Sequence, residues 1–557
     1  MSSDFFDFGD WDFLESPEGL SLENLIRGGY LPYEIIPPIN TNDYADNISY
    51  ISSKVQSFKG EKYSKYCTYT IPKVKHVRRL LAIPNPYHQL KLSQLIVDNW
   101  EEIEVHIENS PISLSKPVIN NLKINSNREI RTFSRKINLS DISKESILHS
   151  TDARYLLKTD ISRFYPTIYT HIIPWALHSK DTAKSSLKDR TLFKNLSGNK
   201  IDEATRSTQE NQTIGIPIGP DTSLVIAEII GAAIDKYLYQ KLKEKKIKLQ
   251  GFRFVDDFYL YFKTFNDAQF ALSALHHIMK DFELELSPEK TKIIELPVIL
   301  EPKWTIELRR LQNKNINKLS LSDDEIITYF SRAFELSKEY PDESVLKYAL
   351  TEIAEMQISK EQWKIYESLV LNSMIVEPSV LPIATEILLG YRIAKYPLDF
   401  KKIKLTLFEI ILYYCSYGYT HEISWALWLC KSLNINIPVK VAKELAKIED
   451  SIVALITLDL HNQGKIKKID VSLWESLVTK ESLYSNHWLL TYEAINKGWL
   501  NPKEGRAIIE DDDFFKLLLE KNISFYKPDE QVLPVEVNLS DNEKLQRRKT
   551  RRRKRLY

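Results

Sequence analysis

Three aspartates follow segments of the sequence that have the composition of buried β-strands. Asp160 ends the apolar run that begins at Leu156, and Asp256 and Asp257 lie between two aromatic runs within residues 251–262. The second segment predicts a hairpin with the acids at its tip. An aspartate after a strand is commonly a turn former or a helix cap, but an acidic pair with apolar flanks is costly to bury without a cation. Carboxylates at two strand ends suit a pair of Mg²⁺ ions of the kind that clamp the attacking and leaving oxygens in nucleotidyl transfer.

Two further segments carry groups that suit a phosphate-bearing substrate. Residues 213–223 hold Gly215 and Gly219 at the entrance of a predicted helix, where backbone without side chains can approach a substrate closely. A purely structural turn is the alternative interpretation. A later predicted turn carries Lys290 and Lys292, which could reach a triphosphate, although a lysine turn is ordinarily solvated surface. Of the two, Lys290 is the better candidate.

The composition excludes several classes of protein. The chain has 557 residues, which predicts two or more domains, and 76 Lys and Arg against 75 Asp and Glu, so any nucleic-acid contact must come from local charge. Only 15 glycines occur, and neither G-x-x-x-x-G-K-[ST] nor G-x-G-x-x-G is present, which argues against glycine-loop NTPases and dinucleotide-binding folds. The 3 cysteines show no C-x-x-C spacing, which excludes a disulfide framework and a thiolate zinc site.

The ends of the chain and its hydropathy bear on location. The N-terminus is acidic where a secretory signal would be basic, and no apolar stretch reaches the length of a membrane span. We therefore expect a cytoplasmic protein that makes no contact with a membrane.

The pattern of residue types divides the chain into four parts. Residues 1–45 form an acidic N-terminal segment, and residues 46–300 mix strand and helix patterns, which indicates an α+β region. Residues 301–535 carry apolar stripes at helical spacing separated by prolines, which predicts an all-α region of stacked helices. Residues 536–557 form a basic tail that we expect to be disordered on its own.

The order of these segments resembles that of reverse transcriptases, over residues 65–295. Asp160 with Tyr165 resembles their motif A, residues 215–223 resemble motif B, residues 254–257 resemble motif C, and residues 286–292 resemble motif D. The resemblance implies a right-hand polymerase with fingers and a ferredoxin-like palm.

The resemblance also implies roles for individual residues. Asp160, Asp256 and Asp257 would hold two Mg²⁺ ions, and Lys290 would assist the leaving pyrophosphate. The incoming dNTP would contact six residues, which are Lys73, Arg78, Arg79, Tyr165, Gly215 and Gly219. Tyr165 would exclude a ribose 2′-hydroxyl and so select deoxynucleotides. Many templated enzymes carry Gln where this chain has Ile218, which weakens the expectation of accurate templated copying, although Ile218 could equally be a packing substitution.

Within that family, residues 169–175, the Gly-Ile-Pro-Ile-Gly sequence and the long helical second half resemble the abortive-infection group of bacterial defence enzymes. That resemblance implies a HEAT-like helical solenoid, homo-oligomers, protection from phage, and protein-primed DNA synthesis without a template, with a single-stranded DNA product attached to the protein. Two alternatives stay open. One is RNA-templated DNA synthesis from a dedicated noncoding RNA, and the other is a catalytically idle nucleic-acid-binding scaffold.

The basic tail is a candidate nucleic-acid contact. The residues predicted to touch phosphates are Arg547, Arg548, Arg551, Arg552 and Arg553. A solubilising end and a partner for the acidic N-terminus are the other interpretations.

Overall fold

A computed structural model describes residues 19–55, 58, 62–74, 77–120, 131–135, 137, 141–313, 321–354, 356, 358–530, 535 and 537. The strands in these residues form three antiparallel sheets. They are β1 (Cys67–Val74), β2 (Val77–Ile83), β3 (Pro117–Ile119), β4 (Phe133–Arg135), β5 (Tyr155–Asp160), β6 (Gly251–Phe254), β7 (Asp257–Phe262) and β8 (Lys292–Glu295).

Helices make up most of the remaining described chain. Up to the last strand they are α1 (Leu22–Gly29), α2 (Asn42–Asp46), α3 (Ile48–Val55), α4 (Pro86–Asp98), α5 (Trp100–Glu108), α6 (Ile142–Ser150), α7 (Phe164–Thr167), α8 (Ile172–His178), α9 (Lys180–Ser186), α10 (Arg190–Asn195), α11 (Ser197–Ser207), α12 (Asp221–Glu244) and α13 (Phe265–Asp281). After it they are α14 (Lys303–Asn313), α15 (Asp323–Glu339), α16 (Val345–Ile353), α17 (Trp363–Val376), α18 (Leu381–Ile393), α19 (Phe400–Cys415), α20 (Thr420–Ser432), α21 (Val439–Leu445), α22 (Ser451–Asn462), α23 (Ser472–Leu477), α24 (Trp488–Asn496), α25 (Ala507–Glu510) and α26 (Asp513–Glu520), with short 3₁₀ turns at Pro378–Val380 and Glu481–Tyr484.

The sheet that matters for the site has four strands in the order β6-β7-β5-β8. Each neighbouring pair is antiparallel, and the predicted hairpin of β6 and β7 is confirmed, with Phe254 opposite Asp257. Leu157 of β5 and Leu260 of β7 pack with Ile230 of α12 and Leu275 of α13 in one buried cluster. The sheet is thus backed by two long helices, as in an α+β fold.

The start of α12 is anchored to the segment around β4. Asp221, the first residue of α12, is 1% exposed, and its carboxylate accepts hydrogen bonds from the Arg131 guanidinium and from the backbone N–H of Phe133 at 3.3 Å. An acid in the first turn is also favoured by the helix dipole. The first turn of α12 is therefore fixed to the residues around β4.

The second half of the described chain is helical, as predicted. The predicted apolar stripes include those of α16, α19 and α20, whose apolar residues are largely buried. The structure does not confirm a HEAT-like solenoid. None of the helices in the described part of the chain combines the length and hydrophobicity needed to cross a bilayer.

The largest buried cluster does not follow the predicted boundary at residue 300. It joins residues of α1 to α4 and of the β1–β2 hairpin with the helices after α13. Tyr69 of β1 bonds through its hydroxyl to Ser424 of α20 at 3.0 Å, and the Thr70 N–H donates to Thr420 at 2.9 Å. The hairpin that carries Lys73, Arg78 and Arg79 is thus packed on the helical half of the chain.

Candidate active site

Three carboxylates meet at one edge of the four-stranded sheet. Asp160 ends β5 and lies directly opposite Asp257, the first residue of β7. Asp256 occupies the turn between β6 and β7, and its carbonyl accepts a hydrogen bond from the N–H of Ile161 at 3.1 Å. The antiparallel register therefore brings together acids that lie about a hundred residues apart in the sequence.

Burial makes this group of acids electrostatically costly. Burial raises the pKa of Asp256, and burial together with the charge of Asp256 raises the pKa of Asp257 to about 6. Asp160 is 4% exposed, and its Oδ1 has no hydrogen-bond partner among the described residues. A cation at this edge would relieve the repulsion and give Oδ1 a partner.

The donor set is all oxygen, which suits a hard divalent cation. Among the described residues no group of three or more His, Cys, Asp or Glu side chains could hold a metal ion by itself. Mg²⁺ is commonly bound by one or two carboxylates, with substrate phosphates and water completing its shell. Asp160 and Asp256 fit that role, with Asp257 adjacent.

Lys290 is the basic residue that the structure places against these acids. Its Nζ donates to Asp160 Oδ2 at 2.5 Å. The turn that carries it is tied to β5, because the Ser287 N–H donates to the Asp160 carbonyl at 2.9 Å. Lys292 instead lies in β8 opposite Lys158. Of the two lysines in this segment, Lys290 is the one that reaches the carboxylates.

The predicted glycine segment packs against the residues that follow β5. The Gly215 N–H donates to the carbonyl of Ile168 at 2.8 Å, and the Ile216 N–H donates to the carbonyl of Tyr165 at 3.0 Å. Gly219 has φ +131°, and a Cβ there would lie 2.6 Å from Cγ of Pro32. Glycine is thus required at position 219 because the chain packs closely there on the N-terminal segment.

Tyr165 lies near the acids. Burial raises the pKa of its hydroxyl to about 12, and the negative charge of Asp256 adds to that rise. Its ring meets Phe164 edge-on, with 5.9 Å between centroids.

The three basic residues predicted to bind phosphate separate into two groups. The Arg78 guanidinium is bound by the carboxylate of Glu422, at 2.9 Å to Oε2, and lies 3.9 Å from the ring centroid of Tyr419. The structure therefore does not support Arg78 as a phosphate ligand, because both of its Nη groups donate within the protein, to Glu422 and to Thr70. Arg79 and Lys73 line a cavity of about 860 Å³ between the N-terminal segment and the helical half, and the charge of Arg79 lowers the pKa of Asp256 against the larger effect of burial.

A buried cluster of charged side chains behind the hairpin was not among the predicted site residues. Arg253 of β6 binds the carboxylates of Glu228 and Asp235 on α12. The sequence does contain a sign of this cluster. Arg253 lies within an aromatic strand, and Glu228 and Asp235 lie seven residues apart on an apolar helix, so each would need a charged partner if it were buried. The tail residues predicted to touch nucleic acid, from Arg547 to Arg553, lie outside the described residues.

Comparison with known proteins identifies the family of this region. Residues 111–337 match the family model described as "Reverse transcriptase (RNA-dependent DNA polymerase)". The chain therefore contains a reverse transcriptase domain over these residues, which supports a nucleotidyltransferase of the polymerase class. The acids and Lys290 lie within the match, whereas the β1–β2 hairpin lies before it.

Solved structures of telomerase are among those similar to the chain. Telomerase from Candida albicans with a fragment of telomeric RNA has 12% identity over 71% of this chain and 68% of that one, with a TM-score of 0.28. Apo telomerase from Candida tropicalis has 11% identity over 78% and 76%, with a TM-score of 0.31. No curated protein matches the sequence.

Proposed function

We propose that this chain is a DNA polymerase of the reverse transcriptase class that joins dNTPs at the sheet edge formed by Asp160, Asp256 and Asp257. The observation that carries the proposal is the convergence of these acids with Lys290 inside the reverse transcriptase match. Two Mg²⁺ ions, when bound, supply charge stabilisation at the attacking and leaving oxygens. The chain's own side chains hold, orient and select the substrate.

The ion pair between Lys290 and Asp160 suggests how the lysine acts. The hydrogen bond with Asp160 raises the pKa of Lys290, so the side chain is an ammonium group at neutral pH. The Lys290 side chain is 61% exposed and a lysine stem is flexible, so the ammonium group can leave Asp160 when a substrate triphosphate arrives. It then stabilises the negative charge that develops on pyrophosphate. Lys73 and Arg79 are the remaining candidates for the incoming phosphates.

We further propose that synthesis is primed by a protein hydroxyl, needs no template, and serves antiphage defence in a bacterial cytoplasm as a homo-oligomer. These points rest on the resemblance to the abortive-infection group, on the helical second half and on Ile218. The description of the matching family as RNA-dependent favours one alternative, which is copying of a noncoding RNA. An idle scaffold is disfavoured by the intact set of acids.

Labelled dNTPs and Mg²⁺, added to purified protein without template or primer, separate these modes. Asp256→Ala with Asp257→Ala serves as the inactive control. Label that stays on the protein until proteolysis, and that survives ribonuclease pretreatment, supports protein-primed synthesis without a template. Label that requires intact RNA supports the templated alternative. Absence of incorporation in every condition, with or without added RNA, would contradict polymerase activity.

Tyr165 provides a prediction about substrate choice. We expect Tyr165→Val to raise incorporation of rNTPs relative to dNTPs by about 10-fold or more, because the ring that would collide with the 2′-hydroxyl is gone. Tyr165→Phe keeps the ring and should keep the selectivity. Competition between labelled dGTP and GTP measures the ratio, and an unchanged ratio in the valine variant would refute this role.

A further inference from the structure

Arg253 lies three residues before Asp256 and is completely buried. Its Nε donates to Asp235 Oδ1 at 2.9 Å, and its Nη2 donates to Asp235 Oδ2 and to Glu228 Oε1, each at 2.8 Å. Glu228 and Asp235 are seven residues apart on α12, so they share one face of the helix. Two carboxylates on a rigid helix thus fix the guanidinium from both sides.

Helix α12 leaves space for this guanidinium. Gly231 lies between the two acids along the helix, and a Cβ there would stand 2.6 Å from Cζ of Arg253. The segment before β3 closes the other side, because the Arg253 N–H donates to the carbonyl of Ile112 at 2.7 Å. The arginine is thus held by two parts of the chain outside its own strand.

Val255, two residues after Arg253, has an unfavourable backbone conformation. Its φ is +58°, a left-handed value that a β-branched residue adopts only when its surroundings enforce it. Both of its backbone polar groups form hydrogen bonds, one with Arg253 and the other with Ser115. The Val255 carbonyl accepts from Arg253 Nη1 at 2.8 Å, and its N–H donates to Ser115 Oγ at 2.9 Å.

Ser115 links Val255 to the carboxylate that binds Arg253, so that these four residues form one hydrogen-bonded network. Ser115 Oγ donates to Glu228 Oε2 at 3.0 Å, the same carboxylate that binds Arg253. A buried ion pair of this kind contributes little net stability compared with apolar residues of the same volume. Its geometric effect is specific, because it fixes the residue that directly precedes Asp256.

We propose that Ser115, Glu228 and Arg253 are positioning residues, which hold Val255 in its left-handed conformation and thereby place Asp256 beside Asp160. The inference rests on the proposed function, because it assigns the network to the geometry of the polymerase site. A positioning role differs from a role in folding alone. If the network served folding alone, loss of the hydrogen bond to Val255 would affect metal binding and catalysis no more than loss of any other hydrogen bond in the network.

Two neighbouring serines provide a matched test. Ser113 donates to Oε1 of Glu228 but makes no hydrogen bond to Val255, and both serines are buried. We expect Ser115→Ala to lower nucleotide incorporation and Mn²⁺ affinity by about 10-fold each, as for groups that orient metal ligands. Ser113→Ala should change either quantity less than about 3-fold, with a similar melting temperature. Mn²⁺ binding is read by electron paramagnetic resonance on full-length protein.

A second substitution tests the backbone conformation itself. Glycine adopts positive φ without strain, so Val255→Gly in the Ser115→Ala protein should recover most of the lost activity and Mn²⁺ affinity. Equal losses in the two serine variants, or a double variant that is worse than Ser115→Ala, would overturn the proposal.

The outcomes also separate this inference from the proposed function. A wild-type protein that binds Mn²⁺ but incorporates no nucleotide contradicts the proposed function, while the order of Mn²⁺ affinities still tests the positioning network. A wild-type protein that polymerises, with two serine variants that behave alike, contradicts the positioning network alone.

Discussion

Asp256→Asn should reduce nucleotide incorporation by about 1,000-fold or more, which corresponds to about 4 kcal/mol of transition-state stabilisation. The carboxylate lies in the turn that faces Asp160, and asparagine keeps its volume while removing the negative charge that would hold a divalent cation. The rate is measured with saturating dNTPs over a range of Mg²⁺ concentrations. Added Mg²⁺ should not restore it.

The same substitution should leave stability unchanged or improved. Burial raises the pKa of Asp256, which means that the folded protein disfavours its charged form. Removal of that charge relieves repulsion with Asp160 and Asp257, so the melting temperature at pH 8 should not fall. Loss of activity without loss of stability distinguishes a catalytic carboxylate from a structural one.

Asp152→Asn is the matched control for this experiment. Asp152 lies in the turn before the far end of β5, and its exposed side chain pairs with Lys263 at 3.1 Å. The control changes the same chemical group beyond the end of β5 that lies away from Asp160, and incorporation should stay within about 2-fold of wild type. An Asp256→Asn protein with more than a tenth of wild-type activity would contradict the assigned role.

The acids of the site were predictable because the signal for each is local. An apolar run that ends in Asp160 and an aromatic hairpin with acids at its tip both follow from strand composition. Antiparallel pairing then brings the two segments to one edge of a sheet. The hairpin agrees with the structure because it depends on only a few consecutive residues.

The contacts of the N-terminal hairpin were not predictable in the same way. Alternation along a strand implies that Arg78 and Arg79 face opposite sides, but it does not say which side meets a substrate. The answer depends on Glu422, which lies more than three hundred residues away in the sequence. The sequence around Glu422 shows an ordinary apolar helix with one acid and gives no sign of its partner.

Arg253 illustrates a third case, in which the signal was present but its meaning depended on register. An arginine within an aromatic strand must have a partner if it is buried. Glu228 and Asp235 become recognisable as that partner only when α12 is known to pack across β6 with Gly231 facing the guanidinium. Sequence periodicity gives the face of the helix, but tertiary packing decides what covers it.

Arg78→Met should destabilise the protein by about 3 kcal/mol, which is the typical effect of breaking a buried ion pair by removal of one partner. Glu422 is 1% exposed, and its carboxylate would lose the guanidinium that binds it. The substitution also removes the stacking of Arg78 on the Tyr419 ring. Thermal unfolding followed by intrinsic fluorescence should show a melting temperature several degrees below that of wild type.

The loss should depend on pH in a defined direction. Burial raises the pKa of Glu422 even with Arg78 present, and loss of the arginine charge raises that pKa further. A carboxyl group whose pKa is higher in the folded than in the unfolded protein stabilises the fold at low pH and loses this effect as pH rises through the folded pKa. The destabilisation caused by Arg78→Met should therefore be larger at pH 8 than at pH 5.

Two further variants separate a structural arginine from one that binds substrate. Arg78→Met combined with Glu422→Leu removes both charges and should recover most of the lost stability, because no carboxylate is left buried without a partner. Arg79→Met changes the adjacent residue, which is exposed, so the melting temperature should stay within about 2 °C of wild type while KM for dNTPs rises about 10-fold. A stable Arg78→Met protein with a raised KM would reverse the assignment and return Arg78 to the phosphate-binding set. The two neighbouring arginines would then share one function despite facing opposite sides of the strand, which the contacts of Arg78 with Glu422 and Tyr419 argue against.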